Sequence, residues 1–273
     1  MADWYFSRVD IEDGSPSRAH GLSKEAELKL RREGARLIME AGHSLQLSIE
    51  TIATGVVLYH RFYMFCSFTA FPHRVVAAAC LFLSGKIEET PKKCRDILRT
   101  LHSLIPEADF QSGFGSDPKE TLLVHERILL QTVKFDLQIS NPYSSLMKFA
   151  KALIGDRVKI QKVVQMAWTF VNDSLCTTLC LQWEPHLVAV AVLEVAAQMH
   201  KFDLQMPSVE AGKPWWSNFV PGVDAEIIQE VGRQVLSSYE PGHPVLAKAA
   251  ALGAGSSPNV SFDTMHLSGR GKT

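Results

Sequence analysis

The chain has 273 residues, 46% of them hydrophobic, which is enough for one large core or two small ones and far too apolar for a disordered tail. Its 28 Lys and Arg against 29 Asp and Glu leave a formal net charge of -1, so no overall basic field draws it onto phosphate backbones or anionic membranes. The amino terminus shows no basic segment followed by an apolar one, no run reaches the roughly 20 apolar residues of a bilayer span, and the 5 cysteines are odd in number with Cys80 inside an apolar run, so a soluble protein of a reducing, intracellular compartment is expected.

In chain order, Trp4, Tyr5 and Phe6 precede an acidic turn and the Ser15-Pro16-Ser17 turn, and residues 1–22 are expected to dock on the body. Ser23 reads as the cap of an amphipathic helix that runs to Gly42 with Leu28, Leu30, Ala35, Leu37 and Ile38 among charges. A second helix spans Ser48 to about Met64, and an aromatic connector through Phe65, Phe68 and Phe71 leads to Pro72. From Val75 to Leu83 the sequence is apolar on every side and rich in Ala, the pattern of a helix buried at the centre of a bundle. At its far end Lys86 suits the helix dipole while Glu88 and Glu89 oppose it, and Thr90-Pro91 reads as the cap and first turn of a fourth helix that Pro106 stops. Gly113-Phe114-Gly115 lacks the Lys-Ser/Thr of a phosphate loop and follows no strand, so it reads as a flexible connector. Asp117-Pro118-Lys119-Glu120 then supplies cap, first turn and N3 of a fifth helix to about Phe135.

The pattern restarts with helices from Pro142 to Leu153 and from Arg157 to about Leu175, a second mostly apolar helix from Pro185, a Trp215-Trp216 segment, and a helix from about Val223 to Tyr239. Pro72-His73-Arg74-Val75-Val76-Ala77-Ala78 is echoed by Pro185-His186-Leu187-Val188-Ala189-Val190-Ala191, as two copies of one helical unit require. The identical Lys-Phe-Asp-Leu-Gln stretches beginning at Lys134 and Lys201 are not counted, since they end different helices of the repeat. The expected fold is all-α, with two five-helix bundles over 23–139 and 140–240, followed by a disordered tail over 241–273 that is rich in Gly, Ser and Ala.

Two charges interrupt apolar stripes. Lys86 lies one turn beyond Phe82 and Leu83, and Glu126 stands between Leu122, Leu123 and Leu129, Leu130. They face a partner, or they pair with each other and serve only the fold. Glu88, Glu89, Lys92 and Lys93 are weaker candidates, because a charge run is often a solvated face. Cys176 and Cys180 have no second pair at zinc spacing, and His60, His73 and His186 have no nucleophile in sequence reach and read as structural or capping residues. Tyr63, Phe65, Phe68 and Phe71 read as inter-helix core, because a base-stacking surface would interleave them with Lys and Arg. No catalytic residue, metal or cofactor is expected.

The succession His60-Arg61-Phe62-Tyr63-Met64, Gly85-Lys86-Ile87-Glu88-Glu89-Thr90-Pro91-Lys92-Lys93 and Glu126-Arg127-Ile128-Leu129-Leu130-Gln131-Thr132 resembles the cyclin box of the transcriptional cyclins. Trp168-Thr169-Phe170-Val171-Asn172-Asp173-Ser174-Leu175 and Leu181-Gln182-Trp183-Glu184-Pro185 resemble the second box, so the likeness covers roughly residues 4 to 240. Trp4-Tyr5-Phe6 and Ser15-Pro16-Ser17-Arg18 are similar to a different subtype of the family than the boxes are. The resemblance implies a tandem cyclin-box fold and a regulatory subunit that is not itself an enzyme. Its partner would be a transcriptional cyclin-dependent kinase acting on the repeat tail of RNA polymerase II in the nucleus, in a heterodimer without direct nucleic-acid or membrane contact. It also implies that Lys86 and Glu126 reach the αC helix and a nearby loop of the kinase, with Glu88, Glu89, Lys92 and Lys93 beside them. The same tandem fold serves TFIIB-like factors that grip promoter DNA, a reading that needs a basic face and that the balanced charge argues against. The apolar docking patch of cell-cycle cyclins is not evident at Arg32-Glu33-Gly34-Ala35-Arg36, so substrate recruitment by that route is not expected.

Overall fold

Serine caps begin the chain's first four helices. In the computed structural model, which describes residues 4–206, 209, 212–239 and 243–246, these are α1 (Arg8–Glu12), α2 (Pro16–Ala19), α3 (Lys24–Ser44) and α4 (Ile49–Phe62). The side chains of Ser7, Ser15, Ser23 and Ser48 each accept the N–H three residues on, which satisfies a donor that no helical carbonyl reaches. The first unit continues with α5 (His73–Ile87), α6 (Cys94–Leu104), α7 (Glu107–Phe114) and α8 (Pro118–Thr132), the last capped by Asp117. The second unit holds α9 (Pro142–Ala152), α10 (Arg157–Leu175), α11 (Pro185–Met199) and α12 (Ala225–Ser237), with a short 3-10 turn at Leu179–Leu181. Among the described residues extended pairing is confined to one antiparallel bridge between Ile154 and Gln205.

The two apolar helices are central, as their sequences require. Every residue of α5 from Val75 to Gly85 is buried, and α3, α4, α6, α7 and α8 all pack on it. In the second unit α11 is buried from Val188 to Leu193 and again from Val195 to Ala197, against α9, α10 and α12. Helices α3 and α4 approach closely at Gly34 of α3, where a Cβ would stand 2.1 Å from the Tyr59 ring of α4, and the Tyr59 hydroxyl donates to the Leu30 carbonyl at 2.8 Å. A side chain at position 34 would push these helices apart.

Four helices end in the same way. Gln46, Glu89, Lys134 and Lys201 adopt left-handed φ of 54°, 54°, 54° and 50° just after α3, α5, α8 and α11. The next residue's N–H then bonds back to a carbonyl of the last turn: Leu47 to Gly42, Thr90 to Gly85, Phe135 to Leu130 and Phe202 to Ala197. This is the closure that glycine usually provides. The repeated Lys-Phe-Asp-Leu-Gln stretches are therefore the same helix stop used twice.

Three expectations need correction. Pro106 caps a further helix rather than merely stopping one, so Gly113 and Phe114 belong to α7, Phe114 is buried, and Gly115 closes the helix at φ 66°. Thr90-Pro91 does not open α6, whose cap is Lys93 without a side-chain hydrogen bond. Phe65 does not sit in the core: its ring is 49% exposed and lies edge-on to Trp4 and Phe6. In the second unit Trp215 and Trp216 lie in turns at 215–219 rather than in a helix, with both rings buried. The expected tail lies outside the described residues except for 243–246, where the His243 ring lies 4.7 Å from that of Tyr239 and Val245 and Leu246 pack on the core.

The units share one core. A single apolar cluster runs from Trp4 to Leu236 through both. His60 of α4 is fully buried and its Nε2 meets the Leu175 carbonyl at the end of α10 at 2.9 Å. The amino-terminal segment straps across the seam: Trp4 Nε1 donates to Asp136 at 3.0 Å, the Arg61 guanidinium lies 4.6 Å over the Trp4 ring, and the Phe6 N–H donates to the Leu181 carbonyl at 2.8 Å. Ser15 donates to Glu27 at 2.5 Å, and Glu27 holds Arg31 in a buried pair at 2.8 Å whose guanidinium also bonds the Tyr63 carbonyl.

Candidate functional site

Where the buried central helix surfaces, its last turn carries Lys86. From Val75 to Gly85 the residues of α5 face other helices on every side, so position 86 is where a long side chain first escapes again at the far end of the helix. On α8, Glu126 follows buried Leu122 and precedes buried Leu129, which turns its carboxylate toward α5. The two meet. Lys86 Nζ donates to both Glu126 oxygens, at 2.6 and 2.8 Å, and rests 4.1 Å over the Phe82 ring. Exposure is unequal: the lysine side chain is 45% exposed and the glutamate side chain 9%. Nζ has three donors and two go to Glu126, which leaves one directed away from the pair. Around the pair, Ile87, Leu123 and Leu130 are only partly buried.

The other four sequence candidates separate. Glu88 is half-buried and accepts from the Thr54 hydroxyl of α4 at 2.6 Å, so it ties the turn after α5 back to the bundle. Glu89 is the exposed left-handed residue of that turn. Lys92 is half-buried and Lys93 exposed, both leading into α6. Periodicity alone does not single out the threonines that fix this turn. Besides Thr54, Thr51 bonds Thr90 at 2.9 Å and Ser48 bonds Thr51 at 3.0 Å, a hydroxyl chain from the cap of α4 to the end of α5. On α4 these residues read as interruptions of an apolar run; only the facing turn reveals their partners.

Elsewhere the side chains favour structure over chemistry. All five cysteines are free, and burial pushes the Cys180 thiol up to about 12. Among the described residues no group of three or more His, Cys, Asp or Glu could hold a metal ion, and no helix is long and apolar enough to cross a membrane. His73 Nε2 lies 3.5 Å from Glu33 and His186 Nε2 3.2 Å from Glu184, both at helix starts. Tyr63 and Phe68 stack at 3.5 Å within the core.

Comparison with known proteins identifies the family of the chain. The family model "Cyclin, N-terminal domain" matches residues 4–138, and "Cyclin-T2-like, C-terminal domain" matches residues 152–238. The chain is 52% identical over 240 residues to Cyclin-K of Homo sapiens, a match covering 88% of this chain and 41% of that protein. It is 36% identical over 246 residues to Cyclin-T1-3 of Oryza sativa subsp. japonica, covering 88% of this chain and 49% of that one. The chain thus spans about half or less of these relatives' lengths. A chain of the crystal structure of the yeast RNA Pol II CTD kinase CTDK-1 complex shares the fold with a TM-score of 0.71 at 18% identity, covering 94% of this chain and 86% of that one.

Proposed function

We propose that this chain, which belongs to the cyclin family, is the regulatory subunit of a transcriptional cyclin-dependent kinase that phosphorylates the repeat tail of RNA polymerase II in the nucleus. A protein kinase is active when its αC glutamate is paired to its ATP-binding lysine, and a partner that holds αC inward supplies that geometry without doing chemistry. ATP, magnesium and the catalytic residues then belong to the kinase, and nucleic acid is not contacted directly. The likeness to Cyclin-K and to a chain of an RNA polymerase II tail kinase complex supports this choice of partner and substrate.

The observation that carries the reading is the Lys86–Glu126 pair. It is rigid before any partner arrives, held by two hydrogen bonds and an aromatic ring beneath, and its spare N–H suits a backbone carbonyl or helix end of the kinase. The partly apolar surface around it suits the hydrocarbon side of a docked helix. Glu89, Lys92 and Lys93 flank this surface, while Glu88 acts by fixing the turn. The test is activation of the candidate kinase by Lys86→Ala and Glu126→Ala, each checked for folding. Desolvated contacts of this kind cost about 2 to 5 kcal/mol when one member is removed, so affinity is expected to fall by roughly 30-fold or more in both. Normal activation by both variants rejects the site.

A further inference from the structure

A groove of about 660 Å³ lies where α6, α7 and the start of α8 meet. It adjoins the Lys86–Glu126 site without including either residue. Its apolar lining comes from Leu98, Phe110 and Pro118, and around it stand Lys93, Arg95, Arg99 and Lys119 against one carboxylate, Asp117. In a chain of net charge -1 this is a local concentration of cations. Internal partners do not account for it. Among the described residues Lys93, Arg99 and Lys119 form no ion pair, Arg95 reaches only its neighbour Asp96 at 3.8 Å, and Asp117 accepts the Glu120 N–H as the cap of α8. Nor do the helices need these charges. Lys93 caps α6 without a hydrogen bond and Arg95 and Lys119 lie in first turns, where exposed N–H groups already carry positive charge and repel a cation. Three of these cations are held against their own helices, Arg99 stands beside them in the middle of α6, and the four around an apolar floor complement a ligand that is both acidic and hydrophobic.

We propose that this groove docks an acidic linear segment of a protein partner. Asp or Glu carboxylates of the segment meet Lys93, Arg95, Arg99 and Lys119, and an apolar side chain between them covers Leu98 and Pro118. A nucleic acid fits less well: the Phe110 ring is 5% exposed and already meets His102 and Phe114, so no face is left for a base to stack on. The proposal does not depend on the kinase reading.

The test is fluorescence anisotropy with a short fluorescein-labelled peptide of Asp and Glu carrying two leucines. Saturable binding to the whole chain is expected, weaker as salt rises. About a tenfold or greater loss is expected for the Arg99→Glu, Lys119→Glu double variant, for Leu98→Asp, and for a peptide with Asn and Gln in place of its acids. The charge variant alters exposed side chains and is expected to melt with the wild type, so its result stands if Leu98→Asp unfolds. Equal binding of the amide peptide, unchanged affinity in the charge variant, or no binding overturns the proposal. So does tighter binding of a single-stranded oligonucleotide of equal charge that ignores Leu98→Asp. Self-association that the charge variant abolishes would make the occupant a second copy. Loss of kinase binding in that variant would give the groove to the kinase.

Discussion

Glu126 and Lys86 share one ion pair but do not share its burial, and this difference sets what each mutation does to the free chain. Lys86→Ala leaves a carboxylate that is 9% exposed without its cation, an expected stability loss of about 1–3 kcal/mol. Glu126→Ala leaves a lysine that already reaches water, and a much smaller loss is expected; urea unfolding of the two variants measures the asymmetry. Equal losses would mean that the pair behaves as a buried unit. His60 makes a second residue-scale prediction. Burial and the nearby Arg31 charge hold its pKa down to about 3, against about 6.5 in an unfolded chain. Below pH 6.5 the unfolded state takes up a proton that the folded state refuses, so stability is full above that pH and falls as pH drops toward 3. At pH 5 the loss is about 2 kcal/mol. His60→Gln keeps an N–H donor for the Leu175 carbonyl but does not titrate, so its melting temperature is expected to fall less than the wild type's between pH 7.5 and 5. Parallel curves would show that His60 protonates freely. The prominence of Lys86 and Glu126 was legible in sequence, because a charge inside an apolar stripe stands out. Their mutual pairing was an open alternative there, since periodicity says which face a residue occupies but not what lies opposite.

At the scale of elements, most helix starts were legible and most stops were not, the starts of α6 and α7 being the exceptions among the former. Ser, Asp and Asn caps announce themselves by side-chain chemistry, and Ser23, Ser48 and Asp117 fell where the sequence put them. The ends of α3, α5, α8 and α11 rely on left-handed Gln, Glu and Lys, residues that carry no such signal. The same blindness hid α7, since Gly113 and Gly115 were read as loop formers when the first lies in the last turn of a helix and the second closes it. A left-handed backbone costs a side-chain-bearing residue about 1–2 kcal/mol, only partly offset by the greater freedom that glycine has when unfolded. Exposed Lys201→Gly is therefore expected to stabilise the protein by about 0.5–1 kcal/mol, a rise of roughly 1–4 °C in melting temperature. A fall instead would show that the lysine side chain contributes to the fold.

For the molecule as a whole, the echo between Pro72 and Pro185 correctly announced two central helices, because both must be apolar all round. What it could not announce is that the two units share a core, with His60 and the amino-terminal strap across the seam. A shared core predicts one cooperative unfolding transition. Trp4→Ala removes a ring that is 6% exposed, a bond to Asp136 and the surface beneath Arg61, and is expected to cost about 3 kcal/mol while leaving a single transition. Two resolved transitions in calorimetry would refute the shared core. The strap also sets an order of events during synthesis. Phe6 leaves the ribosome well before its backbone partner, the carbonyl of Leu181, and Trp4 must wait for Asp136. At roughly 5–20 residues per second, these aromatic anchors remain without their partners for on the order of ten seconds. During that interval a nascent chain displays Trp4, Tyr5 and Phe6 together, where a chaperone can hold them, and the seam closes only once the second unit has arrived.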